Sequence, residues 1–201
     1  MQRLEMALQP LLQHYPDVVV SVDTFRSSVA RQCVEKYGVA MINDISGGEL
    51  DEQMFDTVAQ LRVPYIMMHM RGTPQTMQQQ TDYEDVTADL LKYFSQKLER
   101  LFRLGVNDVI LDPGFGFSKT LTQNYELMRH LGDFRIFGLP LLVGVSRKSM
   151  IYKLLETTPE ESLNGTTVLH TYALLQGADI LRVHDVRAAK EAIRIVQQLK
   201  G

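Results

Sequence analysis

Runs of apolar residues alternate along this chain with stretches of helical periodicity, and the alternation repeats six times. Asp17–Asp23, Val39–Ile45, Val63–His69, Asp108–Asp112, Pro140–Ser146 and Asp179–His184 are rich in Val, Ile, Leu and Met. Such near-continuous runs are what strands of a parallel sheet covered on both faces require. Helical patterns occupy Arg26–Tyr37, Asp51–Leu61, Val86–Leu104, Thr122–Leu131, Leu163–Gln176 and Arg187–Leu199. Gly38, Gly105 and Gly177 stand just before strands, where a helix C-cap belongs. Six uninterrupted βα units favour a TIM-type barrel over an open doubly wound sheet. A closed barrel needs eight units, so the expectation is an α/β fold with an incomplete (β/α) barrel. Six units follow a lone helix at Met1–His14, with two units missing ahead of it. No linker divides the chain, and residues 1–201 read as one domain.

Composition narrows the function classes. Twenty-one Lys and Arg face 24 Asp and Glu, a net charge of -3, which disfavours a general nucleic-acid binder. A single cysteine, Cys33, excludes an internal disulfide framework and a Cys-rich zinc site. No apolar run is long enough to span a bilayer, and the amphipathic start lacks a signal-peptide layout. The default is a soluble cytoplasmic protein. His14, His130 and His170 carry no metal-ligand spacing, and neither a P-loop nor a nucleophile elbow occurs.

In a barrel the chemistry gathers where strands end, and all six runs end in polar or ionisable residues. These are Asp23-Thr24, Asn43-Asp44, His69 to Arg71 after Met68, Asp112 before Pro-Gly-Phe-Gly-Phe117, Ser146-Arg147-Lys148 and Arg182-Val183-His184. Each group has a plain structural reading. Asp23 can cap the next helix, Asn43 and Asp44 can hold a turn, Met68 can fill the core, and His69 can be a satisfied structural histidine. Arg147 and Lys148 are less easily dismissed, since helix starts prefer acids; two cations there point to an anion or a bound ring. Arg182 and His184 alternate along a strand and so share a face, a natural oxyanion or phosphate clamp.

Taken together, SVDT at 21–24, INDISGG at 42–48, MMHMRGTPQTMQ at 67–78, LDPGFGFSK at 111–119, GVSRKSM at 144–150 and RVHDV at 182–186 resemble the dihydropteroate synthases. The resemblance runs in order over essentially the whole chain. It implies a pterin-binding barrel of folate biosynthesis and a sulfonamide target. The substrates it implies are 6-hydroxymethyl-7,8-dihydropterin pyrophosphate and p-aminobenzoate, the products 7,8-dihydropteroate and pyrophosphate. By matching positions, Asp23, Asn43, Met68, Asp112 and Lys148 would bind pterin. Arg182 and His184 would hold pyrophosphate, and Ser146 and Phe117 would lie near p-aminobenzoate. Lys148, Arg182 and His184 would be the catalytic groups, with Mg²⁺ as cofactor and a homodimer formed through the late helices. The family's first two units carry an N-x-T-P-D-S-F-S-D loop, with the Mg²⁺-ligating Asn, and a G-x-E-S-T-R-P-G loop; neither string occurs here. The expectation is therefore an N-terminally truncated member, without its metal ligand in this chain and with weak or no turnover. Two other readings stand beside it. One is a methyltetrahydrofolate-binding corrinoid methyltransferase, against which the SRK and RVHDV strings weigh. The other is a non-catalytic pterin-binding remnant.

Overall fold

A computed structural model describes residues 1–200. It contains six parallel strands, β1 (Ser21–Asp23), β2 (Met41–Asp44), β3 (Tyr65–Met68), β4 (Val109–Asp112), β5 (Leu142–Val143) and β6 (Ile180–Leu181). The helices are α1 (Gln2–His14), α2 (Ser27–Tyr37), α3 (Met54–Leu61), α4 (Val86–Arg103), α5 (Leu121–Arg129), α6 (Ser149–Tyr152), α7 (Leu163–Leu175) and α8 (Val186–Lys200). The fold class is α/β, with six βα units of the TIM type behind a lone helix, as the hydrophobic pattern predicts. Among the described residues no helix is long and apolar enough to cross a membrane.

The described residues divide into two units, residues 1–68 with 96–110, and residues 69–95 with 111–200. In the first, β1 pairs with β2 and β2 with β3, and Tyr65 donates its amide to the Asp108 carbonyl. Val22, Ile42, Phe55, Tyr65 and Leu101 are fully buried or nearly so, and the Phe55 and Tyr65 rings meet edge to face at 5.8 Å. Gly38 ends α2 at φ 61°, a conformation that a Cβ disfavours, and its amide bonds the Cys33 and Val34 carbonyls. In the second unit β5 pairs with β6, Leu111 bridges to Leu141, and α8 packs on α7.

The strands are shorter than the apolar runs. Val18 and Val19 lie outside β1 and are exposed; the ladder begins at the Val20 carbonyl, which accepts from Ala40 and Met41. In the β5 run, Pro140 has no amide to donate, and the Leu141 amide goes to the Asp179 carboxylate at 2.9 Å. α6 begins just after Arg147 and Lys148, and a 3-10 segment over Leu131–Phe137 carries no sequence signal.

Candidate functional site

In the first unit the register sets Asp23 beside Asn43, one at the end of β1 and the other on β2. The Asn43 amide donates to the Asp23 carboxylate, and the Thr24 amide donates to the Asn43 carbonyl at 2.9 Å. Asp23 therefore does not cap α2; the Ser27 amide at that helix start is served by Asp51 at 2.7 Å. The side-chain oxygen of Asn43 is buried and accepts no hydrogen bond. Such an oxygen is unusual in a folded protein and calls for a donor from outside.

Asp44, next in the chain, is the residue that holds the turn. Its buried carboxylate accepts from the Ser46 amide and hydroxyl, the Gly48 amide and the Tyr65 hydroxyl, at 2.7 to 2.9 Å. Met68 at the end of β3 is buried.

In the second unit β4 delivers Asp112, which accepts from the Gly114 amide at 2.8 Å. Burial pushes its carboxyl above the usual range, against the pull of Lys148, the Gly114 amide, Lys119 and Arg182. Lys148, between β5 and α6, donates to the Phe115 carbonyl at 2.6 Å, with its ammonium 4.8 Å from the Phe117 ring centroid. Burial lowers its pKa to about 8, with Asp112 resisting and Arg182 assisting. Gly144 lies next to both cations: a Cβ there would make ordinary contacts at 3.7 Å to Arg182 Cβ and 3.8 Å to Lys148 Nζ.

Ser146 is buried, and its hydroxyl lies 3.2 Å from the His184 amide and 3.0 Å from His184 Nδ1. A hydroxyl that accepts the amide can donate to or accept from Nδ1, so either ring tautomer is held. Arg182 and His184 are both exposed, two residues apart beyond β6.

Arg147 and Lys148, adjacent in sequence, have different uses. Arg147 sits at φ 55° and grips both Asp185 oxygens at 2.8 Å, while one guanidinium nitrogen also donates to the Pro159 and Glu160 carbonyls. Of the expected pair of cations, Arg147 is thus engaged in tying together three segments, and Lys148 is the one set beside the Phe117 ring. Asp185 is held below its usual pKa chiefly by that hydrogen bond. His69 is buried and structural, its pKa driven well down by burial and by the charges of Lys119 and Arg71.

Asp44 holds the turn as the sequence suggests, and the residues that pattern reasoning missed are Tyr65 and Lys119. Lys119 stands in the LDPGFGFSK string, where its position just past the second Phe was the available signal. Among the described residues no three His, Cys, Asp or Glu side chains come together to hold a metal ion. The charges that act on Asp112 are cationic, so these residues do not fit Mg²⁺.

The pterin binding enzyme family matches residues 1–184. The dihydropteroate synthase of Synechocystis is 42% identical over 202 residues, covering 99% of this chain and 69% of the relative. That of Escherichia coli is 42% identical over 200 residues, covering 98% and 70%. A Yersinia pestis dihydropteroate synthase solved with a sulfonamide drug superposes with a TM-score of 0.92 at 38% identity, covering 99% of this chain and 72% of that one. The Thermus thermophilus enzyme in complex with 6HMPPP gives 0.92 at 37% identity, covering 100% and 80%.

Proposed function

We propose a function from one premise: the chain belongs to the pterin-binding enzyme family, among the dihydropteroate synthases. The reaction is transfer of a dihydropterin-methyl group from pyrophosphate to the amine of p-aminobenzoate. The carbon–oxygen bond to pyrophosphate breaks, a carbon–nitrogen bond forms, and the amine releases a proton. Bond breaking runs ahead of attack, so the nucleophile needs no strong general base.

The observation that carries the reading is the Asp112, Lys148 and Arg182 group in the second unit. There a buried carboxylate is influenced by three cations, Lys148, Lys119 and Arg182, and Lys148 also stands over an aromatic ring. A pterin presents adjacent donors and acceptors on its aminopyrimidinone edge, and a fixed carboxylate meets the donors in set directions. A site built that way discriminates strongly against rings lacking the edge. The residues assigned to pterin are Asp112 and Lys148 in the second unit, and Asp23, Asn43 and Met68 in the first. The unsatisfied Asn43 oxygen supports its assignment, since a ligand N–H is the partner it lacks.

Arg182 and His184 are assigned to the pyrophosphate. Charge grows on that leaving group as the bond breaks, and preoriented donors stabilise it most then. Ser146 supports this by holding His184 through both its amide and its ring. Phe117, with Ser146 nearby in the role the family implies, is assigned to p-aminobenzoate. Lys148 orients and supplies positive charge. The same reading places the protein in the cytoplasm as a homodimer through its late helices, supported by exposed Val168, Tyr172, Leu175 and Ile195 on α7 and α8.

The test is direct. The chain is titrated with 6-hydroxymethyl-7,8-dihydropterin pyrophosphate, followed by ligand fluorescence, and p-aminobenzoate is then added while pyrophosphate release is monitored. Saturable pterin binding and pyrophosphate release together support the assignment. Binding without release makes the chain a pterin binder alone, and no saturable binding rejects the reading.

A further inference from the structure

The turn after β4, residues 113–118, holds positive φ angles at Gly114, Gly116 and Ser118. Four consecutive carbonyls in it each receive a side-chain donor. Lys119 Nζ bonds the Gly114 carbonyl at 3.1 Å and the Phe117 carbonyl at 3.0 Å. Lys148 serves Phe115 at 2.6 Å, and Gln78 serves Gly116 at 3.2 Å. Lys119 also meets His69 Nδ1 at 3.2 Å, so its ammonium has three protons and three acceptors.

Burying an ammonium is unfavourable unless its hydrogen bonds are made. Lys119 is only 3% exposed, and burial brings its pKa to about 7. An apolar side chain would fill the same space without that penalty. What an apolar residue could not do is hold together two carbonyls three residues apart, on either side of the Phe115-Gly116 segment.

We propose that Lys119 is a positioning residue that fixes the face of the turn carrying Phe117, and thereby the seat of the amine substrate, without touching substrate itself. The proposal rests on the assignment of Phe117 to p-aminobenzoate and Asp112 to pterin. The two roles are separable because Asp112 has its own tether, the Gly114 amide at 2.8 Å. Loss of Lys119 releases the Gly114 and Phe117 carbonyls, whereas the hydrogen bond from the Gly114 amide to Asp112 remains.

The experiment measures two affinities in Lys119→Met at pH 6, where the native ammonium keeps its protons. Pterin binding is read by fluorescence. Binding of p-aminobenzoate is read by calorimetry on chain saturated with 6-hydroxymethylpterin and inorganic pyrophosphate, which cannot turn over. Displacing a seat by about an ångström makes the expected loss of p-aminobenzoate affinity about tenfold or more, with pterin affinity within about threefold of native. A general loosening of the fold would weaken both ligands together, and that result, or no change in either, overturns the proposal. If Lys119→Met does not fold, Lys119→Gln, which restores one donor group, carries the same test. It is expected to lose p-aminobenzoate affinity selectively, and parallel losses there are equally decisive against it. Absence of pterin binding by the native chain would instead overturn the functional assignment beneath the proposal.

Discussion

Two buried ammonium groups give this protein a pH signature whose size can be worked out. Lys119 and Lys148 titrate near pH 7 and 8 in the fold, against an ordinary value of 10.5, in both cases because burial disfavours the charge. In the unfolded chain both lysines keep their protons up to about pH 10. Between those limits the unfolded state binds more protons than the folded state, so stability rises with pH. Integrating the two titration curves from pH 7 to 9 gives a rise of about 2 kcal/mol from Lys119 and about 1 kcal/mol from Lys148. Lys119→Met deletes the first contribution. Urea unfolding, with an uncharged denaturant that leaves ionic strength alone, gives the free energy at each pH for both proteins. The native chain should gain about 2 kcal/mol more than the variant over this interval. Taking the difference cancels groups common to both, including Cys33, whose burial raises its thiol and works in the opposite direction. Parallel pH dependences in the two proteins would refute the argument and mean that the ammonium is solvated or compensated in the fold.

Three further outcomes follow from the same geometry. Asp112→Asn replaces the buried carboxylate assigned to the pterin edge, and pterin affinity measured by fluorescence should fall by about 10- to 100-fold, the range of a hydrogen bond to a charged group. Pterin pyrophosphate affinity should decline as pH passes about 8, where Lys148 loses its proton, and Lys148→Met should bind weakly with that decline removed; an unchanged pH profile in the variant would contradict the role. Tyr65→Phe removes one of four donors to the Asp44 carboxylate, and urea unfolding should show a loss of about 2 kcal/mol.

The βα order was legible because each buried strand demands its own apolar run, and each run ends where a polar group appears. Asp112 and Lys148 were visible for that reason. Strand limits were not, since a strand exists only where a neighbour offers its ladder. Val18 and Val19 have the residue type of β1 but lie outside it. The 3-10 segment at Leu131–Phe137 is too short and too weakly periodic to announce itself.

The harder lesson concerns neighbours with the same charge. Arg147 and Lys148 are equivalent on composition, yet one makes a structural clasp and the other stands over Phe117. The choice is made 38 residues away: Asp185 offers two oxygens in the geometry a guanidinium fork matches, and an ammonium cannot use both in the same way. Arg147 makes this clasp from a left-handed φ of 55°, and that backbone turn precedes the N-terminal end of α6, where Lys148 reaches the Phe115 carbonyl. The clasp and the placement of the Lys148 ammonium are therefore set along one short stretch of backbone. Arg147→Lys should retain the charge and lose the fork, so its effect should appear in the properties of Lys148 as well as in those of Asp185.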